Sequence, residues 1–246
     1  MSLTLDLTDR VVLVTGGARG IGLGVSRVLA SAGATVVSCG RSEAEPPVPG
    51  GSHLVCDVRD ADAVTVMVDE LVSSHGRLDG LVNNAGGAPY SPAAEASPRL
   101  HEKVVGLNLL APLVVAQACH AVMQSQERGG SIVNISSVSA LRGMRKTITT
   151  YAATKAGVAH LAEGLRMELL GKPIKVTVIY PGYIASEMNE GIAGDQPMMA
   201  STEKGVQAIV SAIEKEKASA CVPPLPWAPL SVVMKHAPLP VLKRLI

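Results

Sequence analysis

The chain has 246 residues and a net charge of +1, from 22 Lys and Arg against 21 Asp and Glu. Near-neutrality excludes the basic footprint of a nucleic-acid binder, and no stretch reaches the ~18 uninterrupted apolar residues of a membrane-spanning helix. With no Phe and one Trp, the core must be aliphatic, and the length suits one large α/β domain.

Met1 to Arg10 is polar and holds no apolar signal core. The cysteines Cys39, Cys56, Cys119 and Cys221 are far apart and lack metal-ligand spacing. They read as small buried residues in a reducing compartment, and no metal site is expected. The expectation is a soluble, cytoplasmic protein without membrane contact.

Val11 to Val14 is a continuous β-branched run, the mark of a strand buried on both faces. It ends in Thr15-Gly-Gly-Ala-Arg-Gly-Ile-Gly22, and an apolar-periodic helix follows as far as Gly33. Thr35–Ser38 predicts a second strand. The stretch from Glu45 to Gly51 carries Pro46, Pro47 and Pro49, so the next crossover is a loop. His53–Cys56 is a third strand ending at Asp57. Asp60 caps a helix to about Ser74. A fourth strand, Leu78 to Val82, leads into Asn83-Asn-Ala-Gly-Gly87. Ser97 and Pro98 open a long helix to about Gln126, bent near Pro112. Ser131–Ile135 is a fifth strand and runs into Ser136 and Ser137. A helix over about 150–170 and a strand over Ile174–Ile179, closing at Pro181-Gly182, come next. Residues 184–200 read as a Met-rich cover. Ser201 caps a helix to about Lys217, and Ala218 to Val222 forms a last short strand. The remainder, 223–246, is Pro-rich and apolar. With no repeat and no linker, residues 1–246 read as a single Rossmann-type domain. Its doubly wound parallel sheet has about seven strands, with helices on both faces.

Two patterns carry chemistry. Gly16, Gly20 and Gly22, between a first strand and a first helix, let the backbone approach a pyrophosphate at the helix N-terminus. About 20 residues on, where an NAD site places an acid, stand Gly40 and Arg41. An Arg there suits the 2′-phosphate of NADP, with Arg19 as a second cation; the plain alternative is that both are solvated surface arginines. In Tyr151-Ala-Ala-Thr-Lys155, a phenol and an ammonium lie one helical turn apart. A free phenol titrates near 10, and a neighbouring cation favours its ionised form. The pair can therefore exchange a proton with a carbonyl or alcohol.

Thr15 to Gly22, Asn83 to Gly86, Asn108, Ser137, Tyr151 with Lys155, and Pro181-Gly182 stand in order over about residues 5 to 220. In this the chain resembles the short-chain dehydrogenase/reductase family, in its single-domain branch of about 250 residues. The resemblance implies an NADP(H)-dependent oxidoreductase moving hydride between nicotinamide and a carbonyl or secondary alcohol. Tyr151 would be the acid/base, Lys155 the cation that activates it and holds the nicotinamide ribose, Ser137 the hydroxyl on the substrate carbonyl and Asn108 the holder of a relay water. Ser136 and Ser139 rival Ser137, and a polar residue at the Pro112 bend is the plain reading of Asn108. Gly16, Arg19, Gly20, Ile21 and Gly22 would hold the cofactor phosphates, Arg41 the 2′-phosphate, and Asp57 with Val58 the adenine. Asn84, Ala85 and Gly86 would border the adenine ribose, with Pro181, Gly182, Ile184 and Ser186 against the nicotinamide.

Leu141, Met144, Ile148, Tyr183, Met188, Met198 and Met199 suggest an apolar pocket, with Arg145 near for a polar end. The helices over 98–126 and 150–170 are apolar beyond one stripe, which predicts a homodimer or homotetramer. The tail could pack on a partner subunit, cover the site or lie on a membrane, and its prolines favour packing. Two other readings use the same fold: a nucleotide-sensing or scaffold protein without turnover, and a sugar epimerase, for which the chain has no room.

Overall fold

The computed structural model describes residues 5–89, 91–144, 147–185 and 198–245. Strands β1 (Val11–Thr15), β2 (Thr35–Gly40), β3 (Ser52–Val55), β4 (Gly80–Asn83), β5 (Gly130–Ile135), β6 (Ile174–Pro181) and β7 (Ser219–Val222) form one sheet in the order β3-β2-β1-β4-β5-β6-β7. Every pairing is parallel. Both faces are covered, which is why β-branched runs without polar alternation became strands. In β1, Val11 and Leu13 point to one core, with Val64, Leu71, Val115 and Met123 from helices α2 (Ala61–His75) and α4 (Ala111–Gln124). Val12 and Val14 point to the other, with Val25, Leu29, Ile209 and Val210 from α1 (Gly20–Ser31) and α6 (Thr202–Glu214). The sheet grows from β1 to β3 and then restarts on the far side of β1 with β4, so the strand order reverses between β1 and β4. In such sheets ligands bind at the carboxyl ends of the strands beside that reversal.

The expected caps are present. Asp60 accepts from Asp62 N and Ala63 N, Ser97 from Leu100 N and Ser201 from Lys204 N. The β2–β3 crossover is a loop, and its Val48 turns inward to the α1-side core. The long helix differs from a simple bend. Between α3 (Pro98–Val105) and α4 it widens into a π turn, Gly106–Leu110, in which Ala111 N bonds Gly106 O, five residues back. Pro112 has no N–H, so the Asn108 carbonyl loses its helical partner, and the wider turn absorbs the mismatch. The run Pro98–Gln124 is long and apolar enough by length and composition to cross a membrane, yet it packs on α2, on the sheet and on α5 (Thr149–Glu168) as a core helix does.

The Pro-rich tail is helical, as α7 (Pro224–His236) and α8 (Leu239–Leu245). Pro224 stands in the opening turn, where a helix start lacks N–H partners anyway, Leu225 is extended, and Pro229 lies inside the helix. The tail folds back on its own chain: Met234 and Leu242 pack with Met144, Ile148 and Ala152, and Arg142 donates to the carbonyls of Lys235 and Ala237.

At the amino ends of the central strands β1 and β4, the buried carboxylate of Asp79 receives Val11 N at 2.9 Å, Arg10 at 3.2 Å and Nε and Nη2 of Arg77. Burial works to raise its pKa, but the bonds from Arg77, Val11 N and Arg10 outweigh this and hold it below the usual carboxylate range. A depressed carboxyl adds stability above its unfolded value and loses it as pH falls. Asp79→Asn is expected to cost about 2 kcal/mol at neutral pH. In thermal melts by circular dichroism, that gap should close below about pH 4, as the wild-type carboxyl protonates.

Candidate active site

The glycine turn sits at the end of β1. Gly16 (φ +65°) and Gly20 (φ +53°) adopt the left-handed region. A Cβ on Gly22 would strike the Gly16 carbonyl and Asn84 Nδ2, whereas one on Gly20 would meet nothing within 4 Å. The first pair packs the turn; the open side at Gly20 is where a ligand can approach. Thr15 ties β1 to β4, because its Oγ1 accepts from both Asn84 N and Ala85 N at 3.0 Å. Asn84 Nδ2 in turn donates to the Thr15 and Gly16 carbonyls. At the start of α1, Arg19 is extended and gives no side-chain cap bond, and the first turn holds no acid. A helix N-terminus so arranged attracts an anion, so the cradle fits a diphosphate.

Across the cleft, Gly86 gathers the other group. A Cβ there would lie 3.1 Å from Asn108 Oδ1 and 3.4 Å from Lys155 Nζ. Asn108 is buried on the π turn. Its amide is spent on Gly87, accepting from Gly87 N at 2.9 Å and donating to Gly87 O at 2.8 Å. Lys155, only 5% exposed, donates to the Ile135 carbonyl at the end of β5 (2.8 Å). Its Nζ stands 5.8 Å from the centroid of the Tyr151 ring, one turn earlier on α5. Burial pushes the ammonium down from its ordinary value to about 8. Ser136 Oγ donates to the Lys155 carbonyl at 2.7 Å, so its hydroxyl is committed to fixing α5. Ser137 opens the 3-10 turn Val138–Leu141, which packs on α5. Its Oγ accepts from Ser139 N at 3.1 Å, which leaves its own proton available to donate.

The remaining candidates separate. Asp57 is engaged by the Arg59 guanidinium at both oxygens, which holds its carboxyl below the usual range, with a smaller contribution from Arg41. That pairing was not foreseen for a residue read as an adenine ligand. Val58 is buried in the core beside it. Arg41 and Arg19 are exposed, and Ile21 packs on the α1-side core. At Pro181-Gly182, the one Trp lies against the backbone: a Cβ on Gly182 would collide with the Trp227 ring, and Tyr183 meets that ring edge-on at 5.4 Å. Ile184 is buried against Gly205. Met144 and Ile148, read as pocket lining, pack on the tail instead. Ser186, Met188 and Arg145 lie outside the described residues.

Thr15 and Trp227 have no role assigned from sequence, and Ser136 only that of a rival to Ser137. The first left a signal, a polar residue closing an apolar strand just before the glycines; the other two are placed by contacts far along the chain.

Lys155 also carries a stability cost. Lowering its pKa from 10.5 to about 8 costs roughly 3 kcal/mol, of which leaving the Ile135 carbonyl unpaired would return about 1–2. Lys155→Met should therefore be more stable than wild type at pH 7, by about 1 kcal/mol. The unfolded chain binds the extra proton between about pH 8 and 10.4, so wild-type stability rises there and the advantage should shrink. Urea unfolding at pH 7 and pH 10 reads both effects.

The sequence profile of the family described as short chain dehydrogenase matches residues 10–197. An uncharacterized oxidoreductase of Mycobacterium tuberculosis is 34% identical over 249 residues, covering 97% of this chain and 98% of its own. An L-fucose dehydrogenase of Bos taurus is 33% identical over 206 residues, covering 80% and 74%. Among solved structures, a double mutant of a Serratia marcescens short-chain dehydrogenase/reductase superposes with a TM-score of 0.78 at 27% identity, covering 88% of this chain and 97% of that one.

Proposed function

The chain belongs to the short chain dehydrogenase family, a family of oxidoreductases that use nicotinamide cofactors, and from that premise we propose that it moves hydride between NADP(H) and a carbonyl or secondary alcohol of an apolar small molecule. The observation that carries the reading is the buried Lys155 ammonium 5.8 Å from the Tyr151 ring, facing Gly86. An ammonium beside a phenol favours the phenolate, which gives a group able to hand a proton to an alkoxide or take one from an alcohol. When bound, the nicotinamide supplies or accepts the hydride.

Gly16, Gly20, Ile21 and Gly22 would hold the diphosphate on the α1 N-terminus, and Arg19 and Arg41 the 2′-phosphate. Asn84, Ala85 and Gly86 would border the adenine ribose, Asp57 and Val58 the adenine, and Pro181, Gly182, Ile184 and Ser186 the nicotinamide. Ser137 would donate to the developing oxyanion, stabilising charge that exists only in the transition state. Because the Asn108 amide is committed to Gly87, a relay water would rest on its main-chain carbonyl, which Pro112 leaves without the usual helical donor. The apolar substrate rests on this chain's own residues, since one relative acts on a sugar: Leu141, Tyr183, Met198 and Met199 offer no charge.

We further propose a homo-oligomer, supported by the exposed Leu110, Leu113, Met167 and Leu170 of the long helices and their ends, and a cytoplasmic location, supported by the four free cysteines. A monomer mass by light scattering at micromolar concentration would contradict the assembly.

An assay of NADPH and NADH oxidation over a panel of ketones and quinones tests the activity. Tyr151→Phe should bind NADPH as wild type does and lose at least ~100-fold in turnover. Unchanged turnover would remove Tyr151 from the mechanism, and tight NADPH binding with no turnover on any substrate would favour a nucleotide sensor.

A further inference from the structure

The β2–β3 crossover lacks the helix that would normally brace the end of β2. Gly40, Arg41 and Ser42 lead instead into an exposed stretch that regains the core only at Pro47 and Val48. Among the described residues, Cys56 N on the Gly40 carbonyl at 2.7 Å anchors the backbone at this turn. A second anchor is a side chain. His53 lies opposite Ser38 in the β2–β3 register, and its ring spans the turn: Nδ1 is 2.8 Å from Ser38 Oγ and Nε2 is 3.0 Å from the Ser42 carbonyl. A carbonyl can only accept, so Nε2 carries a proton. The ring lies against the turn, at van der Waals distance from where a Cβ on Gly40 would stand (3.4 Å from His53 Cε1). The imidazole is thus a strut joining the interior of β2 to the residue after Arg41, in place of the missing helix.

We propose that His53 is a positioning residue for cofactor choice: by holding the Ser42 carbonyl it fixes the turn that presents Arg41 to the 2′-position of the adenine ribose. The proposal rests on the reading of Arg41 as the 2′-phosphate ligand. A free Arg side chain loses much rotamer entropy on binding, and a free backbone turn would add its own ordering cost to every phosphate contact. Held by His53, the backbone part is settled before the cofactor arrives. NADH, which lacks the phosphate, gains little from it.

The test is calorimetric and fluorescence titration of NADPH and NADH into wild type, Arg41→Ala, His53→Phe, His53→Gln, Ser38→Ala and the double variant Arg41→Ala/His53→Phe, with a melting temperature for each. His53→Phe should weaken NADPH about tenfold and NADH by no more than about twofold, the scale of one lost charge-assisted contact. His53→Gln, which keeps a donor and an acceptor, should retain most of the preference, and Ser38→Ala, which frees one end of the strut, should lose part of it. The double variant should bind NADPH no worse than Arg41→Ala alone, since both changes remove the same interaction. Equal weakening of both cofactors, or additive losses in the double variant, would make His53 a plain structural brace and overturn the proposal. Should Arg41→Ala abolish the preference while His53→Phe and Ser38→Ala leave it intact, only the positioning role falls. A preference untouched by Arg41→Ala removes the 2′-phosphate reading and this proposal with it.

Discussion

The site depends on keeping one ammonium out of water. Lys155 is 5% exposed, and an unpaired charge so placed would cost several kcal/mol. Its support comes from backbone: the Ile135 carbonyl takes the proton donor, and Ser136 pins the Lys155 carbonyl so that α5 cannot slide along β5. Adjacent residues at one strand end thus fix both ends of the lysine. A glycine opposite, Gly86, lets the head group and Asn108 close on the same point. The proposed acid/base role of Tyr151, one turn away, rests on this cation.

An all-parallel sheet makes such a gathering cheap in sequence terms. Every strand ends on the same edge, so Thr15, Asn83, Ile135 and Pro181, the last residues of β1, β4, β5 and β6, meet there although 166 positions separate the first from the last. The hydroxyl of Thr15 shows how the edge is sealed: two successive amides of the β4 turn converge on it. The glycine turn and the turn after β4 are therefore one rigid piece. Half-buried polar backbone at a strand end needs such partners, and here they come from the chain itself.

The parts legible in the sequence were those set by local rules. Strands buried on both faces announced themselves as Val-rich runs, caps as Asp60, Ser97 and Ser201, and the missing crossover helix as three prolines. The chemical motifs were legible because each lies at a strand end or within one helical turn. What escaped was decided by distant partners or by degenerate local choices. Pro112 signals a disturbed helix, but a kink, a break and a π turn all accommodate a lost N–H. Ser136 and Ser137 are identical in type, and only the position of the α5 backbone commits the first to Lys155. Asp57 has Arg59 two residues on, a spacing with no fixed geometry outside regular structure, so its ion pair could not be read in advance.

The tail packs as its prolines suggested, though composition could not say against what. Trp227 is buried to 2% exposure, and its indole N–H has no partner among the described residues. An unpaired buried donor costs about 1–3 kcal/mol, while burying the ~150–250 Å² of an indole contributes about 4–6 kcal/mol. The apolar term wins, and the ring stays where Gly182 leaves room for it. Because Met234 and Leu242 also pack on Met144 and Ala152, the tail holds the segment between Ser137 and Tyr151 from behind. Substitutions at the far end of the chain should thus reach Ser137 and Tyr151 through this packing rather than through charge.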